Sequence, residues 1–127
     1  MSLLWCVSVL PGVSVLLGSA LGSPRAGQNF SVPCELPHNV LEVTWFHLYG
    51  DSLMPLLSAS LNKFNKTVER RYSERRFHLR GDLVDPPVSL EMRAVNQTDA
   101  GLYYCVGRYS NGSLSTDALR LTVGGKA

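Results

Sequence analysis

At 127 residues the chain has room for one domain and little else. Twelve Lys and Arg against ten Asp and Glu leave a net charge of +2, too small to imply a nucleic-acid partner. The three histidines, His38, His47 and His78, lack metal-ligand spacing, and no Gly-rich phosphate loop or Gly-x-Ser-x-Gly elbow is present, so no metal, cofactor or catalytic role is expected.

In chain order, residues 1–22 come first. They hold no charged side chain and run apolar from Leu3 to Leu17 before turning to small residues. This is the pattern of a secretory signal peptide, with cleavage expected after Ala20 or Gly22 and a single domain over 23–127; an uncleaved anchor or a first strand of the fold is the alternative. Pro11-Gly12 argues against a continuous transmembrane helix, and no second apolar run follows, so no membrane anchor is expected in this chain. Cys6 leaves with such a leader, and the two remaining cysteines are an even number suited to an oxidising compartment. Four sequons, at Asn29, Asn65, Asn96 and Asn111, point to the same compartment, secreted or on the extracellular side of a cell, as candidate N-glycosylation sites.

Over 28–36, Phe30, Val32, Cys34 and Leu36 alternate as a half-buried strand requires. Pro37-His38-Asn39 breaks it. A second strand is predicted over 41–48, with Val43, Trp45 and His47 inward by the period of two. Gly50-Asp51 turns the chain into strands predicted over 53–60 and 61–68, and then over 76–79. Gly81-Asp82 and Asp85-Pro86-Pro87 are turn chemistry. Val88, Leu90 and Met92 alternate inward on the next strand. Another is predicted over 101–108, Asn111-Gly112 signals a hairpin, and Leu119, Leu121 and Val123 form the inner side of the last strand.

Cys34, Trp45 eleven residues later, and Asp99-Ala-Gly-Leu-Tyr-Tyr-Cys105 occur in that order. On these residues the chain resembles the V-set of the immunoglobulin superfamily, over roughly 24–123. The resemblance implies an all-β, V-type immunoglobulin sandwich of about nine antiparallel strands in two sheets. It also implies one inter-sheet disulfide between Cys34 and Cys105, Trp45 in the core, and Tyr103 as the tyrosine corner. It further implies an ion pair between Arg76 and Asp99 at the end away from the binding loops, with Arg75 as the competing donor. The Phe-Gly-x-Gly of rearranged antibody and T-cell-receptor chains is absent from Ser115 to Val123. The expectation is therefore an innate immune, co-stimulatory or adhesion type of V domain.

If Trp45 and Cys105 point inward, Phe46, Leu48, Leu102, Tyr104 and Val106 point outward, where a solvated sheet carries polar residues. Leu48 falls where the family has a polar residue, often Gln, and Pro55 where it often has proline. These side chains, with Arg108 and Tyr109 of the following loop, are the expected partner-binding face. The implied function is non-enzymatic recognition of a protein ligand or counter-receptor; homotypic adhesion, through a homo- or heterodimer on the same face, is the alternative. The loop 108–113 has a recognition-like composition but reads equally as a plain hairpin. Arg80-Gly81-Asp82 spells a tripeptide that integrins recognise, and reads as ordinary turn chemistry. The basic stretch from Lys63 to Arg80 reads as a solvated edge that resists strand pairing, with attraction of sulfated glycans or acidic lipid headgroups as its alternative.

Overall fold

A computed structural model describes residues 19–124 except 63, 65 and 86. Its strands are β1 Ser19–Gly22, β2 Phe30–Cys34, β3 Glu42–Tyr49, β4 Ser52–Asn62, β5 Thr67–Tyr72, β6 Phe77–Arg80, β7 Val88–Met92, β8 Gly101–Tyr109, β9 Gly112–Ser115 and β10 Leu119–Leu121. They form two sheets. The larger runs β1-β10-β8-β3-β4-β5, with β9 also on β8; the smaller runs β2-β7-β6. This is a V-type immunoglobulin sandwich, with β9 and β10 as two parts of one broken edge.

The core lies where the inner faces meet. Alternation on β3 buries Val43, Trp45 and His47, and on β7 it buries Val88, Leu90 and Met92. Trp45 is fully enclosed, and its indole N–H donates to the Val32 carbonyl of the opposite sheet at 3.2 Å. Beside it the Cys34–Cys105 disulfide joins β2 to β8, with Cα atoms 5.7 Å apart. A large aromatic and a covalent bridge therefore fix the spacing of the sheets at the same level.

Two elements differ from the pattern-based expectations. The strand expected over 61–68 lies instead at Thr67–Tyr72, because β4 continues to Asn62 before the chain turns. The arginines of Glu69-Arg70-Arg71 are thus within an edge strand. The last strand, β10, ends at Leu121, short of the expected inner residue Val123, and is separated from β9 by 116–118, where the Thr116 N–H donates to the Cys105 carbonyl and its hydroxyl accepts from the Cys105 N–H. One threonine satisfies both backbone groups of the bridging cysteine, so the edge bends here without a Phe-Gly-x-Gly. Residues 1–18 of the expected leader lie outside the described residues. Ser19 to Gly22, its last four, pair in parallel with β10, and the Thr122 N–H donates to the Gly22 carbonyl.

Candidate functional site

The outward face of β3, β4 and β8 has two halves. Register places Phe46 between Tyr104 on β8 and Pro55 on β4, and Leu48 between Leu102 and Leu53. The Phe46 and Tyr104 rings stack with centroids 5.6 Å apart. Phe46, Leu48, Leu102 and Tyr104 are half-buried, while Pro55 is exposed and Leu53 is 48% exposed. Cross-strand aromatic pairs of this kind add to sheet stability, and among the described residues their outer side is left only half-buried.

Towards the loops that join β2 to β3 and β8 to β9, the same face turns polar. Arg108 donates to Glu42 at 3.0 Å, the Ser58 hydroxyl donates to the other Glu42 oxygen at 3.3 Å, and the Thr44 and Ser58 hydroxyls lie 3.1 Å apart. Val106, opposite Thr44 and Ser115, marks the boundary.

Tyr109 does not belong to this face. Four residues after Cys105, it shares the inner side with Cys105 and Gly107 by the period of two, and it packs against the core with its hydroxyl donating to the Pro37 carbonyl at 2.8 Å. Burial raises its phenol pKa. Gly107 makes room for this arrangement: a Cβ there would meet Leu36 at 2.6 Å and Val40 at 3.0 Å. The tyrosine therefore braces the loop joining β2 to β3.

The opposite end is closed by charge. Both terminal nitrogens of Arg76 donate to Asp99, at 2.7 and 2.6 Å, and its Nε donates to Glu74 at 2.8 Å. Arg75 is exposed and takes no part. Burial alone pushes the Asp99 carboxyl pKa up; the Arg76 fork and the Asn96 N–H outweigh it and hold the pKa below its ordinary value. The same pair raises the Arg76 pKa, against the opposing effect of burial. The Tyr103 hydroxyl donates to the Asp99 carbonyl, as a tyrosine corner does, and burial, reinforced by the Asp99 charge, raises its pKa.

His47, noted in the sequence only as a core-side strand residue, completes this end. Its ring stacks on Tyr103 at 4.4 Å and its Nε2–H donates to the Ala100 carbonyl at 2.8 Å. Gly101, at φ +134°, admits the histidine, since a Cβ there would stand 2.9 Å from Nε2 and 2.6 Å from the Leu48 carbonyl. The glycine two residues after Asp99 was the available signal for this close approach.

Of the sequons, Asn29 and Asn96 lie at the Asp99 end, where Asn29 accepts from the Ala94 N–H and Asn96 caps the turn Gln97–Asp99. Asn111 is exposed in the β8–β9 turn, and Asn65 lies outside the described residues. Among the described residues there is no cluster of three or more His, Cys, Asp or Glu fit to hold a metal, and no helix long and apolar enough to cross a membrane.

The family model described as the immunoglobulin V-set domain matches residues 24–124. Among solved structures, a marsupial T cell receptor superposes with TM-score 0.68 at 20% identity, over 86% of this chain and 51% of that one. A chain from work on the structural basis of T cell specificity and activation by the bacterial superantigen toxic shock syndrome toxin-1 superposes with TM-score 0.63 at 18% identity, over 81% of this chain and 92% of the other. At these identities the likeness is one of fold. No curated protein sequence matches the chain.

Proposed function

Because this chain belongs to the immunoglobulin V-set family, we propose that it is a non-enzymatic, extracellular recognition domain of an immune-type receptor, or its soluble form, that binds a protein ligand through the outward face of β3, β4 and β8. The observation that carries this reading is the uncovered apolar half of that face: the Phe46–Tyr104 stack with Leu48, Leu53, Pro55 and Leu102 around it. An antiparallel sheet with one solvated face ordinarily alternates polar residues outward, and contiguous apolar surface rimmed by polar groups marks interaction sites. The Glu42–Arg108–Ser58 network supplies such a rim on one side. Its groups satisfy one another, so they set register with a partner more than they add affinity. The sequons described in the structure sit at the two ends of the sandwich, which leaves this face clear of any glycan they carry.

Phe46→Asp and Tyr104→Asp are expected to weaken binding to the protein ligand at least tenfold, with thermal unfolding used to confirm that each variant is folded. Loss of binding in neither variant would refute the assignment of the face. Sedimentation of the purified chain distinguishes ligand recognition from self-pairing: a monomer supports the former, and a dimer dissociated by Leu48→Glu would replace it with homotypic assembly.

A further inference from the structure

We propose a second binding surface, separate from the apolar face: a cationic strip along the β5 edge and the turn after it, which takes a linear sulfated polysaccharide. Between positions 63 and 80 the sequence holds seven Lys or Arg and two Glu, a local net charge of +5 in a chain whose total is +2. The rest of the molecule is therefore net negative, and its positive field is concentrated on this segment.

The structure separates these cations into one that is paired and several that are not. Arg76 is taken up by Asp99 and Glu74. Lys66, Arg70, Arg71, Arg75 and Arg80 make no ion pair with any described residue, and all are exposed. Of the two glutamates in the segment, Glu74 is engaged by Arg76, leaving Glu69 as the one uncommitted carboxylate. Charged side chains on an edge strand guard it against mispairing. Five cations without a carboxylate partner exceed that need.

Their placement selects the class of anion. β5 is the outermost strand of its sheet, and register sets Arg71 opposite Ser58 on the outward side and Arg70 opposite Ala59 on the other. Guanidinium groups thus flank the strand on both sides, with Lys66 before it and Arg75 beyond it. Six extended residues span about 20 Å. A compact anion would engage one or two of these groups, whereas a chain bearing sulfates along its length meets them in succession. Arginine, the majority here, binds oxyanions through two parallel N–H donors.

The test is chromatography of the purified chain on immobilised heparin. The chain is expected to be retained at an ionic strength of ~0.15 M and to elute in a salt gradient. The triple variant Arg70→Gln, Arg71→Gln, Arg75→Gln is expected to pass through without retention. A control with Arg25, Arg93 and Arg120 changed to Gln loses the same charge elsewhere and should still bind. Equal loss in both triples would overturn the strip, because net charge alone then explains retention. Competition on the unmodified chain avoids any question of variant folding: soluble heparin should displace it, and heparin stripped of its sulfates should not. Displacement by both, or pelleting with anionic phospholipid vesicles in place of heparin binding, would also overturn the proposal.

Discussion

Asp99 gathers more functions than any other side chain in the molecule. It accepts both arms of Arg76 and the Asn96 N–H, while its own carbonyl takes the Tyr103 hydroxyl. Such a buried, charge-assisted fork is worth most when intact and costs most when one partner is removed. Since the folded-state pKa of Asp99 is depressed, its stabilising contribution is complete above the unfolded carboxylate value near 3.9 and is lost as pH falls through the folded value. Asp99→Asn is therefore expected to lower stability at pH 7 by about 2–3 kcal/mol. The gap from the parent should narrow below about pH 4. Denaturant melts at pH 7 and pH 3 check this; a gap that is unchanged or wider at pH 3 contradicts the account. The resemblance to the V-set was enough to point to Arg76 and Asp99. Register favoured Arg76 over Arg75, and the structure shows Arg76 making both contacts.

At the scale of elements, the first and last described strands meet. β1 runs parallel to β10, the Thr122 N–H bonds to Gly22, and the Gly124 N–H bonds to Pro24 at 2.7 Å. Gly22 is also where a Cβ would collide with the Phe30 ring at 2.9 Å. A chain beginning at Ser23 loses β1 and leaves the β10 edge open. Relative to one beginning at Ser19, its Tm is expected to fall by about 5–10 °C, as losing one or two kcal/mol does in a domain of this size. Equal melting temperatures would mean that β1 adds nothing measurable. The composition of residues 19–22, small and uncharged, suits both a cleavage zone and an edge strand, so sequence pattern left a first strand of the fold as the alternative to a leader and could not decide between them. The displacement of β5 has a similar cause: 61–68 and 67–72 both carry strand-compatible residues, and only the length of β4 decides where the turn falls.

Over the whole molecule, one covalent link spans 71 residues and joins the two sheets at the level of Trp45. On the chain-entropy account a loop of that size stabilises the fold by about 4 kcal/mol, a large share of the ~5–15 kcal/mol typical of a domain. Replacing both Cys34 and Cys105 by Ala is expected to shift the denaturant midpoint by the equivalent of that amount. A shift below about 1 kcal/mol would mean that the packing around Trp45 holds the sheets by itself. At the same scale, the apolar face and the cationic edge lie on different parts of one sheet, so their binding is expected to be independent.

The sequence by itself determined the family, the two-sheet sandwich, the cysteine and tryptophan frame, and the outward direction of Phe46, Leu48 and Tyr104. The family, sandwich and frame followed from the resemblance that Cys34, Trp45 and the run to Cys105 carry, and the outward direction from strand alternation, whose period of two needs only these inward residues to set its phase. Tertiary structure decided what that rule cannot reach. It extended β8 to Tyr109, which sequence read as loop, so that the alternation carries on and Tyr109 braces Pro37. It set His47 against Tyr103 and Ala100, residues far along the chain. It also showed which arginines of the basic stretch find a carboxylate and which do not. Pairing between residues distant in sequence depends on how the sheets and turns bring them together in space, and no spacing along the chain encodes it.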